Sequence, residues 1–378
     1  MNTAAHHRAS ASADAIMAGL RMGIASPTPD IASTRLEGLD LARFVAFTGM
    51  VLVNFFMVMS EEEMVDSLAA WLIGSMSGRA AASFVVLAGI GYGLLARSRS
   101  GSDLAAITLK RAVFLFAIGL ANSLVFDADI LHYYAFYFLI GLLFVPLADR
   151  WLKLAIGSLV LGFLALALTL DFDAGWDWEN YLYLDFWEPA GFARNLLFNG
   201  WHPLVPWAAF FLFGMLLSRQ PIGDPRFQLR LLLGGVGALV AAESLSAFMT
   251  AWGDQTAEEL SVLFETSPVP PLPLYMLAGM GAASLVVGGC LLIAPQLRRL
   301  GALEIFARPG RQTLTLYIAH ILIGMTIIEA MGLLGGQEGH TAMAAALLFA
   351  ILAIFYAKAW SRIADRGPVE WLMRKLTG

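Results

Sequence analysis

Long apolar runs, each close to the length that crosses a bilayer, recur along this chain, and its charges collect in the gaps between them. A helix needs roughly 20 apolar residues to span the hydrocarbon. About ten such runs occur, near 41–60, 80–97, 108–126, 130–148, 151–170, 203–218, 229–251, 272–294, 312–331 and 341–361. Of the 378 residues, 58% are hydrophobic and 14% charged, with a mean hydropathy of +0.70. Fixed charge is too sparse to coat a soluble globule of this size, so lipid is the expected solvent. The fold class expected is all-α, a polytopic integral membrane bundle of about ten transmembrane helices. Residues 35–378 form that domain, and residues 1–34 read as a disordered or surface-lying cytoplasmic extension. Met64–Met76 is moderately apolar and reads as an amphipathic interfacial segment.

All 24 Lys and Arg except Arg79 and Arg194 fall on one side of this alternation. The positive-inside bias then puts both termini in the cytoplasm, and the expected location is a bacterial inner membrane crossed many times. The other side is acidic, with Glu61, Glu62, Glu63, Asp66, Asp127, Asp129, Asp254, Glu258, Glu259 and Glu265. Its loop at 171–202 places Trp176, Trp178, Trp187 and Trp201 among carboxylates. Two readings stand: an interfacial aromatic belt, or a lip on which aromatic faces pack against sugar rings while carboxylates take hydroxyls.

Several classes are disfavoured. No basic patch interleaves with aromatics, so no nucleic-acid partner is expected. The single cysteine, Cys290, lies in an apolar run and reads as a packed residue. There is no CxxC pair, zinc spacing, P-loop, GxSxG or HExxH, and no metal is expected.

Polar groups inside such a bundle are costly and so are functional suspects. The first span carries Asp40, Arg43 and Asn54. Arg43 and Asn54 are within about 20° of one helix face and about 16 Å apart along it. In the ninth span Thr313, Tyr317, His320 and Gly324 make one polar stripe. His132 follows two aspartates, and His202 sits in NGWHPLVPW, where prolines fix the approach to the sixth span. Imidazoles at such places suit general-base work or interfacial hydrogen bonding. Arg298, Arg299, Arg308 and Arg311, with nearby glycines, can hold phosphates or simply reflect the positive-inside bias.

RLEGLDLARFVAFTGMVLVNF, SGRAAASFVVLAGIGYGLL, DILHYYAFYFLIG, NGWHPLVPWAAFFLFGMLL, PPLPLYMLAGMGAASLVV, GRQTLTLYIAHILIG and RGPVEWLMR resemble, in that order, segments of heparan-α-glucosaminide N-acetyltransferase-like proteins and YeiB-type bacterial membrane proteins. The resemblance implies a transmembrane acyltransferase. It would move an acyl group, usually acetyl, from cytosolic acetyl-CoA to a sugar amine or hydroxyl on the far side. Asp40, Arg43 and Asn54 match the opening motif. The lysosomal relatives carry a catalytic histidine soon after the matching Asn, whereas the loop from Phe55 to Gly78 has none. Another base must serve: His202 first, then His132, then His320.

The expected activity is therefore acyl transfer from acyl-CoA to an exoplasmic sugar or glycolipid. Asn54 is the oxyanion donor, Asp40, Arg43 and the four arginines hold the donor, and the four tryptophans present the acceptor. A transporter or flippase of a small or lipid-linked substrate is the alternative, and a non-catalytic membrane scaffold the third class. Membrane lipids are expected partners, and the sequence leaves open whether the chain forms a homo-oligomer.

Overall fold

The computed structural model describes residues 36–61, 67–99, 101–256 and 261–378, and of these the side chains of all but 253–256. The expected extension at 1–34 lies outside the described residues, as do Glu62, Glu63, Asp66, Glu258, Glu259 and the first part of the Met64–Met76 segment.

Helices follow one another along the chain. They are α1 (Glu37–Met59), α2 (Leu68–Gly74), α3 (Arg79–Ala96), α4 (Gly101–Asn122), α5 (Leu131–Phe144) and α6 (Asp149–Ala167). A two-stranded hairpin follows, β1 (Trp176–Asp177) antiparallel to β2 (Leu182–Tyr183). Then come α7 (Pro189–Arg194), α8 (Leu204–Ser218), α9 (Pro225–Thr256), α10 (Pro273–Arg299), α11 (Leu303–Gly310), α12 (Thr313–Ala330), α13 (Gly339–Trp360) and α14 (Pro368–Thr377). The molecule is the all-α bundle the hydropathy requires, and each of the ten apolar runs coincides with a helix. Leu154, Leu161, Leu233, Val240, Leu348 and Phe355 all point outward from their helices. An apolar exterior of this extent calls for lipid as solvent.

The spans differ from expectation in three ways. Eight helices among the described residues are long and apolar enough to cross a membrane. A ninth crossing would be a broken one, Pro189–Asn199 joined to Leu204–Ser218 with a 50° bend. The fourth run forms α5, only 14 residues long, about 21 Å and short of the hydrocarbon thickness. In addition α4 begins at Gly101 and ends at Asn122, not at 108 and 126. Lys110 and Arg111 therefore lie in the interior of a helix that begins ahead of the apolar run, at Gly101, where Ser102 and Asp103 lower the local hydropathy. Long basic side chains tolerate that position by extending toward the polar boundary.

Small residues set the helix crossings. A Cβ at Gly89 of α3 would overlap the carbonyl of Phe211 in α8, and one at Gly214 of α8 would overlap that of Val86. Without a hydrophobic drive between helices in lipid, such close backbone approach supplies the contact energy. Likewise Ala342, Ala346, Ala350, Ala353 and Ala357 form a buried small-residue stripe on α13. All but Ala357 belong to the core that receives Phe47, Val51 and Phe55 of α1.

Arg79 and Arg194, the two basic residues expected on the acidic side, are both in ion pairs. Arg79 pairs with Glu243, and Arg194 donates to Asp185 at 2.5 Å and to the Tyr183 hydroxyl at 2.8 Å.

Candidate functional site

The polar stripe on α1 folds as its spacing requires. Asp40, 2% exposed, accepts from Arg43 Nη1 at 2.5 Å one turn on. The backbone of Asp40 abuts Gly310, and the Arg43 side chain passes beside Gly91. These contacts tie α1 to α11 and α3. Three turns deeper, Asn54 Nδ2 lies 3.0 Å from His320 Nε2 on α12.

That contact defines the chemistry of His320, which is wholly buried. Its Nδ1 is bonded to the carbonyl oxygen of Tyr317. A carbonyl only accepts, so the proton sits on Nδ1 and Nε2 carries the lone pair that takes the Asn54 amide hydrogen. Phe55 stacks near the ring at 6.4 Å and Phe47 meets it edge-on at 6.1 Å. The helix widens to a π-type turn over His320–Met325. Such turns sacrifice regular bonding and are frequent at functional sites.

Tyr317 carries the network on to Asp129. Its hydroxyl donates to Asp129 Oδ1 at 3.2 Å and accepts from the Ile130 amide at 3.3 Å. Asp129, fully buried, also accepts from Asn122 Nδ2 at 2.6 Å and from the Leu131 amide at 2.7 Å. His132 Nδ1 stands 3.5 Å from Asp129 Oδ2, and neither ring nitrogen has a hydrogen-bond partner among the described residues. Gly119 permits this arrangement, since a Cβ there would overlap the His132 backbone. Asp129 thus holds Tyr317 and lies beside His132 without a hydrogen bond to its ring. Asn122 carries no sequence signal beyond being an amide in an apolar run.

His202 lies at the break between α7 and α8, just after a π-type turn at Asn195–Asn199. Its ring meets Trp207 at 4.6 Å and Tyr133 at 5.9 Å, and Tyr133 in turn lies 3.9 Å from His132. Tyr137 donates to the His202 carbonyl at 2.5 Å, while His202 Nδ1 has no partner among the described residues. His132 and His202 therefore share one aromatic neighbour, and His320 joins His132 through Tyr317 and Asp129.

The aromatic loop is self-packed. Trp176 and Trp178 stack at 4.2 Å, and Trp201 meets Trp176 edge-on at 5.1 Å. Trp176 is buried and donates to the Asn199 carbonyl at 2.7 Å. Trp187 and Tyr181 are the exposed rings, with Trp178 and Trp201 half-buried.

The four arginines do not act as one cluster. Arg298, largely exposed, pairs with Glu37 at 2.7 Å, and Arg299 is exposed beside it. Arg308 and Arg311 instead share Glu304, at 3.1 and 2.5 Å. Burial alone would push the Glu304 carboxyl up, but Arg311 and Arg308 outweigh it and hold it below the usual range. These three line a polar pocket of about 310 Å³ with Lys358, Ser361, Arg362 and Asp365. A second cavity, about 140 Å³ and apolar, is bounded by Arg111, Leu131, Tyr134, Phe138, Leu314 and Tyr317. Both are served by one helix: α12 begins next to Arg311, passes Leu314 and Tyr317, and reaches His320. Among the described residues no group of three or more His, Cys, Asp or Glu is placed to hold a metal ion.

Fold and site together define a polytopic helical membrane protein with a buried Asn–His contact and a hydrogen-bonded polar layer behind it. The family model described as heparan-alpha-glucosaminide N-acetyltransferase, catalytic, matches residues 35–250, more than half of the chain. The chain belongs to this family of membrane acyltransferases. A second model, described as protein of unknown function (DUF418), matches residues 219–378. No curated protein matches the chain.

Proposed function

We propose that the chain transfers an acyl group, most simply acetyl, from cytosolic acyl-CoA to a carbohydrate or glycolipid acceptor on the outer face of a bacterial inner membrane. The observation that carries this reading is the Asn54–His320 contact with its tautomer set by Tyr317. In this reading the acceptor displaces the Asn54 amide from Nε2 and delivers its hydroxyl or amine proton there. The acceptor oxygen or nitrogen attacks the thioester carbonyl, the carbon–sulfur bond breaks, and the thiolate leaves to be protonated. Asn54, released from the imidazole, donates to the oxyanion as charge develops. His320 replaces His202 as the first candidate for the base because it alone of the three histidines touches Asn54. His132 and His202 serve the acceptor side, where Trp178, Trp187 and Trp201 offer ring faces in front of buried Trp176. Arg43, held by Asp40, faces the donor side.

The bent α7–α8 pair gives a transporter reading some support, since broken helices mark substrate paths. One experiment separates the two. Proteoliposomes of the purified protein are given acetyl-CoA labelled in the acetyl group, with envelope glycolipids in the membrane. Label appearing covalently on the glycolipid, and lost in Asn54→Ala and His320→Ala, supports the enzyme. Label that crosses the membrane without bond formation supports the transporter.

A further inference from the structure

We propose that the pocket between α11 and the end of α13 is a phosphate-binding site, supplied by the part of the chain matched only by the family of unknown function. Four cationic side chains, Arg308, Arg311, Lys358 and Arg362, face two carboxylates, Glu304 and Asp365, around about 310 Å³. Glu304 is committed to both arginines. It fixes two guanidinium planes and leaves further N–H groups of each for a ligand. Lys358 and Arg362 stand four residues apart where α13 ends and have no ion-pair partner among the described residues. Both line the same pocket, so their like charges repel across it and an anion between them relieves the repulsion.

A bias toward basic loops does not explain this geometry. That bias spreads charge along a face, as at Arg298 and Arg299; Lys358 and Arg362 are exposed too, but they line one pocket together with Arg308 and Arg311. Here cations from two elements separated by about fifty residues of sequence converge on one concavity. Its wall is rigid. Gln312, fully buried, donates to the Ala357 carbonyl and the Ser361 hydroxyl, both at 3.3 Å, and so joins the start of α12 to the end of α13. Gly310 seats α11 against the Asp40 backbone.

The ligand class is a phosphate monoester or diphosphate. Two sources share that chemistry: the phosphates of a soluble thioester donor and the headgroup of an anionic lipid. The first source rests on the acyltransferase reading above; the site itself does not. From Arg311, just before α12, to His320 is about 13 Å along the chain axis, a separation that the extended arm of such a donor can span.

The test compares the full-length protein with Lys358→Gln, and with Lys358→Gln combined with Arg362→Gln, each checked for unchanged melting without ligand. Affinity is measured for coenzyme A, for dephospho-coenzyme A and for inorganic phosphate in detergent. Melting is also compared in nanodiscs of phosphatidylcholine with and without phosphatidylglycerol. A donor site predicts that coenzyme A binding weakens at least about tenfold in the double variant, with the single variant intermediate. A lipid site predicts that phosphatidylglycerol stabilises the wild type and not the double variant, with coenzyme A affinity unchanged. Either result supports the site. If neither coenzyme A, phosphate nor phosphatidylglycerol distinguishes the variants from the wild type, the proposal is overturned. Wild type that ignores coenzyme A while responding to phosphatidylglycerol would remove the acyltransferase reading and keep the phosphate site.

Discussion

Asn54 and His320, 266 residues apart in sequence, meet through Nδ2 and Nε2 at 3.0 Å. Because Nδ1 is held by the Tyr317 carbonyl, the imidazole offers its basic nitrogen to the one amide on the α1 stripe. Removing Asn54 should lower turnover by about 10²–10³-fold, the loss typical of one oxyanion donor. Removing His320 should cost about 10²–10⁴-fold, as for a general base. Donor affinity should change little in either variant, because neither residue lies in the basic pocket. Transfer of label in proteoliposomes measures the first effect and coenzyme A binding the second; wild-type turnover in His320→Ala would return the base to His202 or His132.

The contrast between α1 and the basic pocket shows what could be read from sequence. The Asp40–Arg43 pair and the stripe from Tyr317 to His320 are local, so helix periodicity alone places each on one face. The meeting of α1 with α12 is not local, and no spacing within either helix encodes it. For the same reason the sequence could rank His202 first and still not show that His320, of the three histidines, is the one that touches Asn54. Arg298, Arg299, Arg308 and Arg311 looked alike in sequence because hydropathy counts charge without direction. Glu304, which separates the last two from the first two, drew no notice as a single acid in a basic loop. The broken sixth run was legible only as a short one flanked by prolines, and the early start of α4 was hidden by Ser102 and Asp103 in its first turn.

Gly119 should tolerate no side chain. Its Cβ would fall on the backbone of His132, where neither α4 nor the first turn of α5 can retreat without moving Asp129. Overpacking of this kind costs about 1–3 kcal/mol. Gly119→Ala should lower the melting temperature in detergent and reduce transfer, whereas Gly157→Ala, on an open face of α6, should do neither. Equal melting of the two variants would mean that α4 and α5 are not pressed together at this point.

Two acids outside the spans give opposite pH signatures. Glu370 on α14 accepts from the Leu314 amide at 2.7 Å and from the Thr315 hydroxyl at 2.5 Å, capping the start of α12. Burial nevertheless pushes its carboxyl above the usual 4.5. A raised acid holds its proton more tightly when folded, so its contribution is greatest below 4.5 and declines as pH climbs through the raised value. Glu304 is held below 4.5 by Arg311 and Arg308 against the effect of burial. Its contribution is full above 4.5 and is lost as pH falls through the lowered value. Melting curves from about pH 3 to about pH 8 should show Glu370→Gln most damaging at the acid end and Glu304→Gln most damaging near neutrality. The reverse order would contradict both assignments.

Sidedness decides whether the basic pocket can meet a cytosolic donor at all. In the proposed orientation that pocket faces the cytoplasm and the tryptophan loop lies outside. Arg79 and Arg194, the two exceptions, pair with Glu243 and Asp185, but two arginines among 24 basic residues leave the count heavily one-sided. The chain has one cysteine, Cys290, which is buried, so Cys290→Ala provides a background free of thiols. In that background Asp173→Cys and Asp365→Cys place single thiols on exposed residues, one at the start of the tryptophan loop and one lining the basic pocket. A membrane-impermeant maleimide applied to intact cells should label Asp173→Cys at once and Asp365→Cys only after permeabilisation. Labelling of Asp365→Cys in intact cells would put Arg308, Arg311, Lys358 and Arg362 outside, away from any cytosolic thioester, and would require the acyl donor to be something other than coenzyme A.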